Sequence, residues 1–352
     1  MRGSAPVLSQ TQVDGRDEML MRLNLFGLRG DVGHGRARMD VRLAGDTDRD
    51  WHLILATGRP DSPFDLVGDT IVAADGAEVA RIRLVEHDDA RLGYARDGGR
   101  VLTANTNRRS TCTGCVFCPN TLAGASDPRM STDGALAAWL EGVLIEQGWS
   151  DFSHVRQVNL STGCFGTEER ALSHLESLRN VLTTASFTGR LGILTSVIRS
   201  REAMTRLADT GPFALFVTLE CLTRRALLLK ESKAELTTDE AHRVLERARE
   251  AGVDTGVMLV VGLDPIDAVG AWLDEAAPLL TDFPNLQIFQ AHTPYMAMFR
   301  ESGAERLGFF LQARTRFERS LRGSGLQPEP WANFRPLWYY QYDGRVRVLA
   351  DA

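Results

Sequence analysis

Three of the five cysteines lie within seven residues of one another, in the stretch TCTGCVFCPN at 111–120. Two residues separate Cys112 from Cys115, and two separate Cys115 from Cys118. Cysteines this close in sequence do not form the framework of separated bridges that staples small secreted folds. Thiolates are, however, preferred ligands of soft transition metals and of iron–sulfur clusters. The spacing therefore predicts a metal site, and the identity of the metal depends on the remaining ligands.

Three kinds of metal site use clustered cysteines. A structural zinc site closes four ligands into a tetrahedron, usually from two separated pairs, but the remaining cysteines, Cys164 and Cys221, are distant in the sequence. A ferredoxin cluster with this spacing takes a fourth cysteine that precedes a proline, whereas Pro119 directly follows Cys118. The third kind is a four-iron cluster on three thiolates, which leaves one iron open to a substrate or cofactor. We favour the third kind, with a non-catalytic iron–sulfur or zinc protein as the alternative.

The elements that position these cysteines follow a strand–loop–helix pattern from about residue 100. Short apolar runs of this kind are typical of parallel strands buried on both faces. Six such runs occur, namely RVLTAN, QVNLSTG, RLGILTSVI, FALFVTLE, DTGVMLVVGL and NLQIFQAH. Ser131 or Thr132, Thr237, and Asp264 followed by Pro265 are predicted to begin intervening helices. The pattern predicts an α/β fold with a partial (β/α)6 TIM-like barrel at 100–300, and ligands bind at the carboxyl ends of such strands.

Two further segments flank the predicted barrel. Residues 1–99 contain short β-branched runs punctuated by Gly, Asp and Pro, which predicts a small β-rich domain with little helix. Residues 301–352 begin as a helix and continue into the aromatic-rich stretch WANFRPLWYYQYDG. That stretch either covers the barrel mouth or packs against the outside of the barrel, and we favour packing.

Composition narrows the possible partners. The net charge of -6 and the pI of about 5.7 argue against a nucleic-acid partner. No apolar run is long enough to span a membrane. Clustered cysteines without a disulfide framework favour a reducing compartment, so the expected localisation is cytoplasmic.

The segment CVFCPN, with the aromatic Phe117 between Cys115 and Cys118, resembles the cysteine motif of the radical S-adenosylmethionine (SAM) superfamily. The usual motif of that superfamily is C-x3-C-x2-C, so Cys112 is one residue closer than usual and the CxxCxxC spacing is atypical. The resemblance extends over about residues 100 to 300. It implies that Cys112, Cys115 and Cys118 hold a [4Fe-4S] cluster and that SAM binds to it.

The resemblance also assigns SAM contacts at the ends of two strands. Ser161, Thr162 and Gly163, in NLSTGCFG, match the turn that holds the SAM amino group. Glu220, in VTLECLTRRALLLK, matches the carboxylate that bonds the SAM ribose, with Thr218 two residues earlier on the same strand face.

Other residues near these positions have two possible roles. Lys230 resembles the basic residue found near the SAM carboxylate. Phe117, the aromatic residue directly before the last cysteine of the motif, is expected to contact the cofactor. Cys164 is either a buried packing residue or a hydrogen donor to a substrate radical. Cys221 is predicted to face away from Glu220 into the core, because strand neighbours alternate. His292 and Tyr295 either contact the substrate or pack.

These features imply a single-cluster radical SAM enzyme. The cluster would cleave SAM reductively to a 5′-deoxyadenosyl radical, which abstracts hydrogen from a small-molecule substrate or, alternatively, from a ribosomal peptide. Two spare cysteines cannot hold a second cluster, so an external flavodoxin or ferredoxin is expected to supply the electron. The first 100 residues lack βαβ alternation, which argues against a cobalamin-binding domain.

Overall fold

A computed structural model describes residues 13–33, 35–47, 49–87, 93–106, 115–118, 132–161, 165–329 and 335–347. Within these ranges the fold is mixed α/β, with a five-stranded sheet near the N-terminus, a seven-stranded sheet curled into a half-barrel, and a two-stranded ribbon near the C-terminus. The predicted fold class is therefore confirmed.

The N-terminal sheet is antiparallel and carries its own apolar core. Its strand order is β2-β1-β5-β4-β3. The strands are β1 Arg36–Leu43, β2 Trp51–Ala56, β3 Phe64–Val67, β4 Thr70–Ala73 and β5 Glu78–His87. Helix α1, Gly15–Phe26, precedes them and was not predicted. Its N-cap is Asp14, whose side chain accepts a hydrogen bond from the Arg16 N–H.

The seven-stranded sheet contains the six predicted parallel strands. They are β7 Val101–Ala104, β8 Gln157–Leu160, β9 Arg190–Thr195, β10 Phe213–Glu220, β11 Asp254–Val261 and β12 Asn285–Ile288. Neighbours along the chain are neighbours in the sheet, and a seventh strand, β6 Gly93–Arg96, pairs antiparallel with β7. The strands are buried almost throughout, as expected when helices cover the outer face.

Helices connect these strands and pack on the outside of the sheet. They are α2 Asp133–Gln147, α3 Glu168–Thr184, α4 Arg201–Asp209, α5 Arg225–Leu228, α6 Glu231–Glu235, α7 Thr238–Glu250, α8 Ile266–Ala276, α9 Pro294–Ala297 and α10 Leu307–Leu321. Thr132 and Thr237 are N-caps, as predicted, and accept from the N–H groups of Ala135 and Glu240. No helix in the described part of the chain combines the length and apolarity needed to cross a bilayer.

Large side chains of the half-barrel pack against glycine on neighbouring strands. A Cβ atom on Gly192 would lie 2.5 Å from Oδ1 of Asn159, and one on Gly256 would lie 2.3 Å from the Phe216 ring. Both glycines are therefore required by close packing. The strand centres are filled, which leaves the strand ends for binding.

The described part of the C-terminal aromatic stretch packs in the apolar core. Trp338, Tyr339 and Tyr340 are buried, and the two tyrosines belong to the apolar core of the N-terminal sheet. The ribbon of β13 Gln341–Tyr342 and β14 Arg345–Val346 follows. Asp17 of α1 accepts from the backbone N–H groups of Tyr339 and Tyr340, so the two ends of the chain are joined through buried hydrogen bonds.

Candidate functional site

The cysteine segment lies at the carboxyl edge of the half-barrel, against the chain that follows β10. The Val116 N–H donates to the Leu228 carbonyl at 3.2 Å, and the Cys118 N–H donates to the Cys115 carbonyl at 2.9 Å. The first bond fixes the cysteines to α5. Cys112 lies outside the described residues.

An apolar cluster surrounds the described cysteines. Cys115 and Phe117 are both buried, and the Phe117 ring meets Phe289 edge to face with 6.4 Å between ring centroids. The remaining members of this cluster are Cys221, Leu228, Leu229, Val260, Leu263, Ala291 and Met296. The cysteine segment after β7 thus packs with the segments that follow β10, β11 and β12, and these apolar side chains limit access of water to the thiols.

Burial and neighbouring charges set the chemistry of the Cys115 thiol. Burial raises the pKa of Cys115 to about 11, the positive charge of Lys233 opposes the rise, and the negative charge of Glu220 adds to it. The backbone N–H of Lys230 also opposes the rise. A thiol with this pKa stays protonated at neutral pH unless a metal ion displaces the proton. The Cys115 thiol is therefore a poor nucleophile at neutral pH.

Glu220 and Lys233 form a buried ion pair beside the cysteines. The Lys233 Nζ donates to Oε1 of Glu220, and the Glu220 side chain is only 8% exposed. Burial lowers the pKa of Lys233, but the charges of Glu220 and Cys115 outweigh that effect and raise it overall. Within the described residues Oε2 of Glu220 accepts no hydrogen bond. One carboxylate oxygen is therefore left for a ligand.

The backbone at Glu220 adopts a conformation that residues other than glycine rarely adopt. Its φ is 64°, and the Cys221 N–H donates to the Leu219 carbonyl at 2.8 Å, which makes a γ-turn centred on Glu220. The pairing of β10 with β11 is irregular between Thr218 and Glu220. Such strain costs of order 1–3 kcal/mol and is often found at functional sites.

Arg225 and Asp264 hold this turn in place. The Arg225 guanidinium donates to the carbonyls of Leu219 at 2.7 Å, Cys221 at 2.5 Å and Lys233 at 2.5 Å. The Asp264 carboxylate accepts from the backbone N–H groups of residues 222 and 223 and from the hydroxyl of residue 223, at 2.6–2.9 Å. The two side chains thus fix both sides of the Glu220 turn.

The predicted role of Asp264 as a helix cap is therefore wrong. Helix α8 begins at Ile266, its N-cap is Pro265, and no side chain caps it. The three donors of the turn after β10 engage the Asp264 carboxylate instead. A buried carboxylate is stabilised by several such bonds more than by a single cap contact.

Cys221 is fully buried, as predicted, but it does not lie away from the site. It belongs to the same apolar cluster as Cys115, and the two thiols interact electrostatically. Burial raises the pKa of Cys221 to about 12. The expected alternation fails because the γ-turn interrupts the strand at Glu220.

The other predicted site residues are distributed as follows. Thr218 is buried near the end of β10, and Ser161 directly follows β8, where its N–H bonds the Ala104 carbonyl. Thr162, Gly163 and Cys164 lie outside the described residues. Lys230 is exposed. The lysine paired with Glu220 is instead Lys233, which was not among the predicted site residues.

The described donor set fits part of a thiolate metal site. Cys115 and Cys118 lie together in apolar surroundings, with the cationic Lys233 beside both. Within the described residues no three His, Cys, Asp or Glu side chains form a metal site, and the third predicted ligand, Cys112, is not among them. Two converging thiols beside a cation are compatible with an anionic cluster completed by Cys112.

A separate cavity of about 280 Å³ lies at the opposite, amino-terminal edge of the half-barrel. Gln157 and Asn285, the first residues of β8 and β12, line it together with Trp338. In barrels of this kind ligands bind at the carboxyl ends of the strands, and the amino-terminal edge contributes to stability. We assign the cavity no part in the site.

No protein-family model and no curated relative matches the sequence. Among solved structures, SuiB from Streptococcus suis bound to S-adenosylmethionine has a TM-score of 0.43 and 13% identity, over 60% of this chain and 46% of that one. The radical S-adenosylmethionine methyltransferase TsrM from Kitasatospora setae, with tryptophan and a SAM analogue bound, has a TM-score of 0.37 and 17% identity, over 56% and 36%. The BexX/CysO complex from Amycolatopsis orientalis has a TM-score of 0.33 and 13% identity, over 66% and 84%.

The chain thus spans less than half of the first two structures. At these identities and TM-scores the likeness to SuiB and TsrM is distant and assigns neither a family nor an activity.

Proposed function

We propose that this protein is a radical SAM enzyme acting on a small-molecule substrate. The observation that carries the proposal is the grouping of Cys115 and Cys118 with the buried Glu220–Lys233 pair at the carboxyl edge of a half-barrel. Thiols for a cluster and a carboxylate for a sugar hydroxyl are the two chemistries that SAM at an iron–sulfur cluster requires. A zinc protein or an electron-transfer protein does not need a carboxylate that binds a sugar hydroxyl.

Cys112, Cys115 and Cys118 would hold a [4Fe-4S] cluster, and when bound it supplies the electron that cleaves SAM to methionine and a 5′-deoxyadenosyl radical. An external flavodoxin or ferredoxin would provide that electron. The apolar cluster around Cys115 would keep water from the site, which protects a radical from side reactions.

Glu220 would accept hydrogen bonds from the SAM ribose through its open oxygen, Oε2. Its partner Lys233 would hold the carboxylate in place and supply the basic residue that we first sought at Lys230. The γ-turn fixed by Arg225 and Asp264 would aim the carboxylate before SAM arrives, which reduces the ordering cost of binding. Ser161, Thr162 and Gly163, which follow β8 in the sequence, would contact the SAM amino group.

Replacing Glu220 with glutamine should weaken SAM binding by about tenfold. A hydrogen bond to a charged group contributes roughly 1.5–3 kcal/mol and one to a neutral group roughly 0.5–1.5 kcal/mol, and about 1.4 kcal/mol corresponds to tenfold in affinity. Glutamine keeps an acceptor for Lys233, so the fold should persist. Calorimetric titration of the reconstituted protein with SAM measures the change.

Glu235→Gln is the matched control, because Glu235 is exposed in the nearby α6 and the same charge is removed. That variant should bind SAM as the parent does. Wild-type affinity in folded, iron-loaded Glu220→Gln protein would refute the assignment of Glu220 to the ribose.

A further inference from the structure

A group of basic side chains lies where the N-terminal sheet meets the end of β12. Arg59, from the loop after β2, donates to the Ala291 carbonyl at 2.6 Å. Gln290 is buried and donates to the carbonyls of Asn24 and Ile54, both at 2.8 Å. These bonds fasten the N-terminal sheet and α1 to the carboxyl edge of the half-barrel, directly beside the apolar cluster that contains Ala291 and Cys115.

His292 is the polar residue at the centre of this junction. Both of its ring nitrogens are shielded from solvent, and neither has a hydrogen-bond partner within the described residues. Burial, followed by the positive charges of Arg36, Arg335 and Arg59, lowers the pKa of His292 to about 2. A neutral imidazole with two unsatisfied nitrogens is rare in a folded protein and calls for a partner.

Arg300 adds a further unpaired cation. Its Nε is buried without a partner, and its guanidinium makes no ion pair within the described residues. Burial and the charge of Arg59 both lower the pKa of Arg300, so the two guanidinium groups repel each other, and Glu305 opposes that effect only in part. Glu305 is itself paired with Arg306 at 3.2 Å. Arg59 likewise has only the Ala291 carbonyl as a side-chain partner among the described residues.

We propose that Arg59, His292 and Arg300 form a binding site for a carboxylate or phosphate group of the substrate. An anion would pair with both guanidinium groups and accept from the imidazole N–H, which offsets the repulsion and satisfies one of the two buried ring nitrogens. All three side chains are partly buried, and two of them are guanidinium groups, so the group suits a single small anion. The assignment of this anion to the substrate rests on the proposed function; the anion site itself does not.

The test uses inorganic phosphate as the probe for a phosphate group and succinate as the probe for a carboxylate group. Each probe is titrated into the reconstituted protein at constant ionic strength, and calorimetry measures the binding. At least one probe should bind with saturation, and whichever binds identifies the type of group. Arg59→Gln and Arg300→Gln should each weaken that binding by about ten- to a hundredfold, because each removes a charge-assisted hydrogen bond. The Arg300 side chain makes no hydrogen bond to any of the described residues, so its variant should fold normally even if the Arg59 variant does not.

Arg81→Gln is the control. Arg81 lies exposed on β5, and its substitution removes the same charge from the same N-terminal sheet region. It should bind the probe as the parent does, and SAM affinity should be unchanged in all three variants. The proposal fails if neither probe binds with saturation, or if Arg81→Gln loses as much affinity as Arg59→Gln. It also fails if the probe competes with SAM, since the anion would then be the SAM carboxylate. A protein that does not cleave SAM would, by contrast, count against the proposed function only. The anion site would still be tested by the titration with phosphate and succinate.

Discussion

Cys115→Ala protein should purify without its iron and should fail to cleave SAM. Cys115 lies in the apolar cluster next to Cys118, and its buried thiol is a ligand only if a metal displaces its proton. A four-iron cluster held by three thiolates has no spare protein ligand, so loss of one thiolate should release it. Cys112→Ala and Cys118→Ala should behave in the same way. Iron and sulfide analysis of anaerobically purified protein measures the effect.

Cys221→Ala is the control for this experiment, because Cys221 is equally buried in the same cluster. We expect it to keep the iron of the parent protein. A Cys115→Ala protein that keeps its full iron content would contradict the ligand assignment. If Cys221→Ala lost the iron instead, Cys221 would have to be counted as a ligand.

Asp17→Ala should lower the free energy of unfolding by about 3–5 kcal/mol, the usual cost of removing one partner of a buried ion pair. Asp17 is fully buried and pairs with Arg314 at 2.7 Å, and Arg314 is 2% exposed. The same carboxylate accepts from the N–H groups of Tyr339 and Tyr340. The substitution therefore leaves two buried donors without their partner and removes one of the two carboxylates that pair with Arg314, the other being Glu318 at 3.1 Å. Urea unfolding followed by fluorescence measures the loss.

Asp274→Ala offers a matched control, since Asp274 pairs with Arg316 of the same helix α10 at 2.6 Å but is 51% exposed. Exposed pairs of this kind contribute about 0–1 kcal/mol. If the Asp17 variant lost no more stability than the Asp274 variant, the joining of the two chain ends through Asp17 would have no energetic importance.

The barrel strands could be predicted from sequence because their signal is local. Strands β7 to β12 lie in short, mostly apolar runs, and the helices between them carry caps such as Thr132 and Thr237. Helix α1 gave no such signal, because its buried positions include the polar residues Asp17 and Asn24. Both residues form hydrogen bonds with Tyr339, more than 300 positions away along the chain, which a local pattern cannot reveal.

The candidate site was predictable only in part for a similar reason. The cysteine spacing and the strand-end position of Glu220 indicated where the chemistry lies. The positive φ at Glu220 could not be read from the sequence, and it brings Cys221 back toward Cys115 against the expected alternation. The pairing of Glu220 with Lys233 rather than with Lys230 depends on the two short helices after β10, which no periodic pattern marks.

Production of 5′-deoxyadenosine from SAM tests the central claim most directly. The protein is reconstituted with iron and sulfide under anaerobic conditions, mixed with SAM and dithionite, and its products are separated by chromatography. We expect 5′-deoxyadenosine at amounts at least equal to the protein, none without dithionite, and none from Cys115→Ala protein. A reconstituted four-iron protein that binds SAM but yields no 5′-deoxyadenosine would contradict the account, as would a colourless protein that holds a single zinc ion.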